Sequence, residues 1–566
     1  MEGHVLTGDS GAAVDARPVV HLDGSSTLTK DLLGGKAWGI NDMRRMGIPV
    51  PPAFAVTTAT CRDYFEAGGV LDDRVWQGIV DGITWLEEQT GHRFADITDP
   101  LLVSVRSGAA ISMPGMMDTV LNLGINDEVE ASLAQRTGDA AYAADTHQRF
   151  RDQYCDIVLN AAHSTIPADP WAQLHAAVCA VFDSWQSPRA QAYRRNRGLG
   201  EAAGTAVTVQ AMVFGNLDDR SGTGVLFSRN PLTGELPAYG EWLTRGQGED
   251  VVSGRCDPLP LDELKRLAPN VHSQLLDYAQ TLESVHRDIQ DIEFTVESGV
   301  LWILQCRSAK RSARAAMRAA VSMAEEGLIS ENEAVRRVSA EQARHLLQPR
   351  LDDTGGHSPL FSGEPACPGI ATGIVVTDPD EAEERGADGE AVILARATTS
   401  PDDLHGMLGA RAIITELGGA TSHAAVVSRE IHRPCIVGCG TDTVTSLVGQ
   451  VVTIDGEKGQ IWAGPLEVVE RDEATLADFE QIYRWASELV PLRVYRPGRE
   501  PAGTVDLDAL GANWHEGLVA GAHVRGTILN SEEGLIAALA AKVSSITVPQ
   551  ALPTLLDLVD LVDAGR

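Results

Sequence analysis

The segment Gly418-Gly419-Ala420-Thr421-Ser422-His423-Ala424-Ala425-Val426-Val427-Ser428-Arg429 follows an apolar, β-branched run, Ala412-Ile413-Ile414-Thr415. That order predicts a strand, a glycine turn and a helix beginning around Thr421–His423. Thr421 and Ser422 suit an N-cap, and the first N–H groups of any helix lack partners within it. An imidazole at this place lies beside those donors and the positive end of the helix dipole. Both stabilise a phosphoryl group carried on a ring nitrogen. Neutral imidazole is a nucleophile near neutral pH, and a covalent intermediate divides one hard transfer into two easier ones. The alternative for His423 is a ring that only packs or hydrogen-bonds at a helix start.

Around this turn, residues 362–465 form an α/β unit, with strands expected near 372–377, 391–396, 411–415, 435–437 and 450–454. A Pro-, Gly-, Asp- and Ser-containing linker precedes it at 346–361. Upstream, residues 1–345 mix glycine-rich strands with helices and carry a helical insertion at about 124–200. Beyond it, 466–566 begins with a hinge helix and continues into βα-like repeats, too few to close a (β/α)8 barrel of about 250 residues. The class is therefore α/β and α+β, multidomain. Hinges near 348–361 and 466–490 would let the central unit swivel.

Composition narrows the function. The 566 residues include 46 Lys+Arg and 79 Asp+Glu, a formal charge of −33. Such a field repels polyanions and argues against a nonspecific nucleic-acid binder or a protein that coats anionic membranes. No run of about 18 apolar residues is present, and Met1-Glu2-Gly3-His4 does not read as a secretory signal. The eight cysteines lack paired CxxC spacing, Cys435 and Cys439 being the closest, so reduced cytoplasmic thiols are expected.

Several residues in the first 345 carry the chemistry of phosphate binding. Lys36 follows Leu32-Leu33-Gly34-Gly35, a turn that lets the backbone approach an anion while the ammonium reaches phosphate oxygens. Arg106, among small residues in Val103-Ser104-Val105-Arg106-Ser107-Gly108, suits a guanidinium aimed into a cleft. Either residue alone also reads as a surface cation. Asp291 and Glu293 are two apart in an expected hairpin strand and share a face; Gln305 and Arg307 repeat the spacing on its partner. That face is either a Mg²⁺ and nucleotide site or a solvated salt-bridge ladder. Gly222 and Gly224 read either as a loop that closes over phosphates or as a hairpin turn.

Gly-Gly-x-Thr-Ser-His-Ala-Ala-x-Val-x-Arg resembles the phosphohistidine signature of phosphoenolpyruvate-utilising enzymes. The likeness extends upstream through Pro368-Gly369-Ile370-Ala371-Thr372-Gly373 and Thr399-Ser400-Pro401-Asp402-Asp403. Leu417 stands where that family often has Arg. Val103–Ala109, Ser112–Gly124, Gly222–Val225, Ser228–Pro231, Gly248–Val252 and the 290–311 hairpin are similar to the ATP-binding domain of the pyruvate phosphate dikinase family. The resemblance implies an ATP-grasp-like N-terminal domain with Lys36, Arg106, Glu249, Gln305 and Arg307 on the nucleotide, and Asp291 and Glu293 on Mg²⁺. It implies His423 as the phosphoryl carrier between ATP, with phosphate as cosubstrate, and pyruvate or phosphoenolpyruvate, and a homodimer. The familiar barrel residues of the acceptor site are not identifiable, so a separate acceptor-domain protein or a different small molecule is the alternative destination for the phosphoryl group, and a noncatalytic, nucleotide-responsive binding protein is the third reading.

Overall fold

A computed structural model of the chain describes residues 17–111, 119–159, 165–196, 204–252, 258–347, 350–351, 358–469 and 476–565. The 112–118 part of the N-terminal motif, Cys256, half of the 346–361 linker and 470–475 lie outside the described residues. By contact the chain divides into two units. One is Met1–Val213 with Trp302–Gln305; the other is Phe214–Leu301 with Cys306–Arg566.

In the first unit an antiparallel sheet runs in the order Val19–His21, Ala53–Val56, Ala206–Ala211, Val103–Gly108, Thr119–Leu123. Ala206–Ala211 is central and buried along its whole length, its two polar side chains, Thr208 and Gln210, included. Between the strands at 119–123 and 206–211 lie the helices of the expected insertion. Several begin at side-chain caps: Asn126, Asp139 and Asp169 each accept two N–H bonds from the first turn.

The second unit is built on three larger sheets. Strands Gly222–Phe227, Tyr239–Thr244 and Gln290–Glu297 form the middle of a five-stranded sheet, with Val300–Ser308 at one edge and Leu259–Pro260 at the other. Gly222 and Gly224 therefore lie inside a strand, and the expectation of a phosphate-closing loop there is corrected. They are glycines because Trp242 and Phe294, stacked at 5.9 Å on the flanking strands, occupy the space where side chains would stand.

An eight-stranded mixed sheet spans Phe361–Ala463. Its parallel centre, Ile370–Val376, Val392–Arg396, Ala412–Thr415 and Cys435–Val437, is joined by crossover helices including Pro379–Ala387 and His423–Glu430. Two separate apolar cores cover its faces. From Arg493 a four-stranded parallel sheet follows in the order 493–495, 545–547, 523–525, 505–506. Its core is continuous with the helices Ala313–Glu325, Ala340–Leu346 and Ala477–Ala486, and reaches Phe227 of the five-stranded sheet. Among the described residues no helix is long and apolar enough to cross a membrane.

Candidate functional site

In the first unit a break in the helix Lys30–Arg45 places the lysine. Gly34 has φ 74° and ψ 156°, and a side chain on it would collide with the carbonyl of Gly108. Gly35 N–H donates to the Ala109 carbonyl at 2.8 Å, fixing the turn to the end of the strand Val103–Gly108. Lys36 is thereby set beside Gly108, and Arg106 lies two residues back on the same strand. Opposite Arg106 stands Thr208, whose buried hydroxyl has no partner in the protein. Lys36, Arg106 and Thr208 thus form a polar patch at one strand end, and a buried hydroxyl left unsatisfied calls for a ligand or water. Thr208 had a visible signal in the sequence, a polar residue within Ala206-Val207-Thr208-Val209, but no motif marked it.

In the second unit Asp291 is 3% exposed and accepts from Arg307 Nε at 2.8 Å. Its other oxygen, Oδ1, is buried without a partner. Burial raises the Asp291 pKa, with Glu293 adding to the rise and Arg307 opposing it; the Asp291 charge in turn raises that of Arg307. The half-buried Glu293 is on the same strand face. Gln305, on the strand Val300–Ser308, is buried and belongs to the Trp302–Gln305 stretch of the first unit. Glu249 lies in the short helix Gly248–Val252, and its side chain is outside the described residues.

His423 opens the helix His423–Glu430, with Ser422 as N-cap accepting from Ala425 N–H. Its Nε2 is buried without a partner. Burial lowers its pKa below 6.5, against smaller opposing effects of the Asp403 charge and the Ser400 backbone. The ring is therefore neutral at pH 7 and has a nucleophilic nitrogen. Two stretches quoted from the sequence meet here, since Asp403 accepts from Ser400 N–H at 2.7 Å to close the turn beside His423. The groups acting on the ring belong to its own sheet domain, and the Asp291 hairpin is not among them. Arg429, six residues on, is 1% exposed and donates to the Ala420 carbonyl at 2.9 Å and the Ala366 carbonyl at 3.1 Å.

Two other sequence signals resolve differently. Arg229 of the Ser228–Pro231 motif is buried and bonded to Glu283 at 2.7 Å and Glu326 at 2.6 Å, tying two helices to the sheet. The closest cysteine pair, Cys435 and Cys439, is unbridged and buried, and burial pushes both thiols up to about 12, which opposes thiolate metal binding. A cavity of about 290 Å³ beside the glycine turn is lined by Glu241, Glu364 and Glu416, a charge that repels a triphosphate.

The described residues thus offer a cation-lined strand end in the first unit and, in the second, a carboxylate pair and a helix-capped histidine. Residues 30–271 and 261–328 match the family described as pyruvate phosphate dikinase, AMP/ATP-binding domain, and 388–459 match the PEP-utilising enzyme, mobile domain. The chain belongs to the pyruvate phosphate dikinase AMP/ATP-binding domain family. It is 40% identical to the pyruvate, phosphate dikinase of Rhizobium meliloti (strain 1021), over 85% of this chain and 61% of that protein. It is 39% identical to that of Clostridium symbiosum, over 88% of this chain and 63% of the relative. With pyruvate, phosphate dikinase 2 of Zea mays the identity is 40%, over 86% and 61%. The chain thus spans about three fifths of the length of these curated relatives.

Proposed function

We propose that this chain carries out ATP-dependent phosphoryl transfer of the pyruvate phosphate dikinase type: ATP, phosphate and pyruvate yield AMP, diphosphate and phosphoenolpyruvate through phospho-His423. The observation that carries this reading is a neutral imidazole at a helix N-terminus with Nε2 unpartnered. His423 Nε2 attacks the β-phosphorus of ATP, and the bond to the α,β-bridging oxygen breaks, leaving AMP. Orthophosphate takes the γ-phosphoryl group as diphosphate. Lys36 and Arg106 bind and orient the phosphates, with Gln305, Arg307 and Glu249 as further nucleotide contacts. The N–H groups of the first helical turn stabilise phospho-His423. Asp291, through its unpartnered Oδ1, and Glu293 would hold Mg²⁺, whose charge neutralises phosphate oxygens.

Delivery of the phosphoryl group to pyruvate completes the reaction. A separate acceptor protein, or a different small molecule, is the second reading. The domain boundaries at 345, 361 and 465, a cytoplasmic location and a homodimer belong to the same proposal. The unbridged thiols of all seven described cysteines support a reducing compartment.

The test is incubation of the purified protein with Mg²⁺ and β- or γ-labelled ATP, with and without phosphate. Acid-labile label from β-labelled ATP on wild type, absent from His423→Ala, is expected. Its absence from both proteins overturns the carrier role. Pyruvate added alone then separates the two destinations, because phosphoenolpyruvate forms only if the acceptor site is on this chain.

A further inference from the structure

The strands Val392–Arg396 and Ala412–Thr415 are parallel neighbours, with Arg396 opposite Thr415 at their C-terminal ends. Their outgoing loops, 397–403 and 416–422, therefore leave from one edge of the sheet, where the functional loops of α/β domains gather. The loops are laced at their starts. Glu416 N–H donates to the Arg396 carbonyl and Leu417 N–H to that of Ala397, each at 3.1 Å. His423 follows the second loop, and the first ends in a single turn, Pro401–Asp403, capped by Ser400. Asp403 draws that turn shut: its Oδ2 accepts from the Ser400 N–H at 2.7 Å and from the Ser400 hydroxyl at 3.3 Å. Its Oδ1 faces Arg396 Nη2 at 3.3 Å, and the same guanidinium donates to the Thr377 carbonyl at 3.1 Å. Asp403 is 5% exposed, so the strand end and the turn are tied together by a buried carboxylate.

What this tie holds in place is the neighbour of the imidazole. The Ser400 backbone hydrogen-bonds the His423 ring; the Ser400 N–H is taken by Asp403, so the group that reaches the ring is the Ser400 carbonyl. A carbonyl only accepts, and the ring nitrogen it meets must carry the proton. Nε2 is buried and has no partner, which leaves Nδ1 as the bonded nitrogen. In a neutral imidazole, a proton on one nitrogen leaves the lone pair on the other. The turn thus selects the tautomer whose Nε2 can attack. Both Asp403 oxygens are engaged by Ser400 and Arg396, so Asp403 acts on the ring geometry through the Ser400 carbonyl.

We propose that Asp403 is a positioning residue: held by Arg396, it fixes the Ser400 carbonyl on the Nδ1–H of His423 and so keeps Nε2 unprotonated for phosphoryl transfer. The inference rests on the reading of His423 as a phosphoryl carrier only for its kinetic consequence, because the tautomer is read without catalysis. The full chain, labelled with ¹⁵N in its histidine rings, is observed by NMR at pH 8, with the His423 signals assigned by their loss in His423→Gln. Wild type shows a protonated Nδ1 and an unprotonated Nε2. Asp403→Ala frees the turn, and a population with the proton on Nε2 appears. Asp403→Asn keeps an oxygen for the Ser400 N–H without the charge, and it retains the wild-type tautomer. Arg396→Met, which removes the other half of the tie, moves the tautomer in the same direction as Asp403→Ala and serves if that variant does not fold. In the label assay Asp403→Ala lowers the maximal rate of His423 loading at least about tenfold, the effect of losing a hydrogen bond to a charged group. The half-saturating ATP concentration stays unchanged, because Lys36 and Arg106 are untouched, and Asp403→Asn recovers most of the rate. A proton on Nε2 in wild type, or a tautomer unmoved by both Asp403→Ala and Arg396→Met, overturns the positioning role. Equal losses of rate in Asp403→Asn and Asp403→Ala overturn it too, since the charge alone would then matter. A tautomer that responds in a protein that never takes label leaves the positioning role standing and sinks the carrier reading instead.

Discussion

At the hairpin, two oppositely charged residues have different structural duties. Arg307 neutralises a buried carboxylate, so Arg307→Ala is expected to lower both folding stability and loading of His423. Glu293 is half-buried, and Glu293→Gln is expected to slow loading at least about tenfold, as loss of a metal-binding carboxylate does, with the melting temperature within about 2 °C of wild type. Thermal melts run beside the label assay check this; equal losses in both would make the pair a salt-bridge ladder. Asp291 and Glu293 were legible as a pair because alternation along a strand is a strict rule. Glu241 was not, although an acid inside Tyr239-Gly240-Glu241-Trp242-Leu243 is conspicuous. Its partners, the Ala420 N–H and the Thr421 hydroxyl, lie 179 and 180 positions away, and no local pattern encodes a contact of that range.

Between elements, buried and exposed ion pairs divide the work. Arg229 joins the strand Gly222–Phe227 to the helices Pro269–His286 and Ala313–Glu325 through Glu283, Ser322 and Glu326. Arg229→Met leaves Glu283 buried without its counter-charge and is expected to cost about 3–5 kcal/mol in urea unfolding. Arg336→Ala, which breaks an exposed pair with Asp563, is expected to leave the urea midpoint close to that of wild type. The sequence showed Ser228–Pro231 as a motif without showing whether its arginine met a ligand or a carboxylate. Gly222 and Gly224 misled for a related reason. Glycine marks a close approach as readily as a turn, and here the approaching groups are aromatic rings from two other strands. The strand–turn–helix at 412–430 was legible because each step is local: β-branched run, glycine pair, hydroxyl cap.

Across the second unit, the contact of Glu241 with the turn at 419–421 would, under the proposed swivelling, couple to a proton. Burial raises Glu241 to about 7, and the Glu364 charge adds to the rise; Thr421, Ala420 and Arg429 oppose it. Glu416 lines the same cavity and Glu293 lies two strands away, both adding negative charge. Released into water the carboxyl ionises near 4.5, so docking takes up a proton between 4.5 and 7. The docked population therefore falls as pH rises through that window and levels above it. Exchange of the Ala420 amide, corrected for its intrinsic pH dependence, should show this slope, and Glu241→Gln should flatten it. The remaining contacts between the 358–469 domain and its seat include Lys310–Glu430 at 3.2 Å, Arg314–Glu457 at 3.2 Å and the Tyr239 hydroxyl on Glu364. Each of these groups regains hydration on parting, whereas the domain keeps both of its own apolar cores. Under the proposed swivelling of the 358–469 domain, ionic strength becomes a throttle: dissolved salt shields the attraction between these pairs, and a saltier medium shortens the time the domain spends at rest.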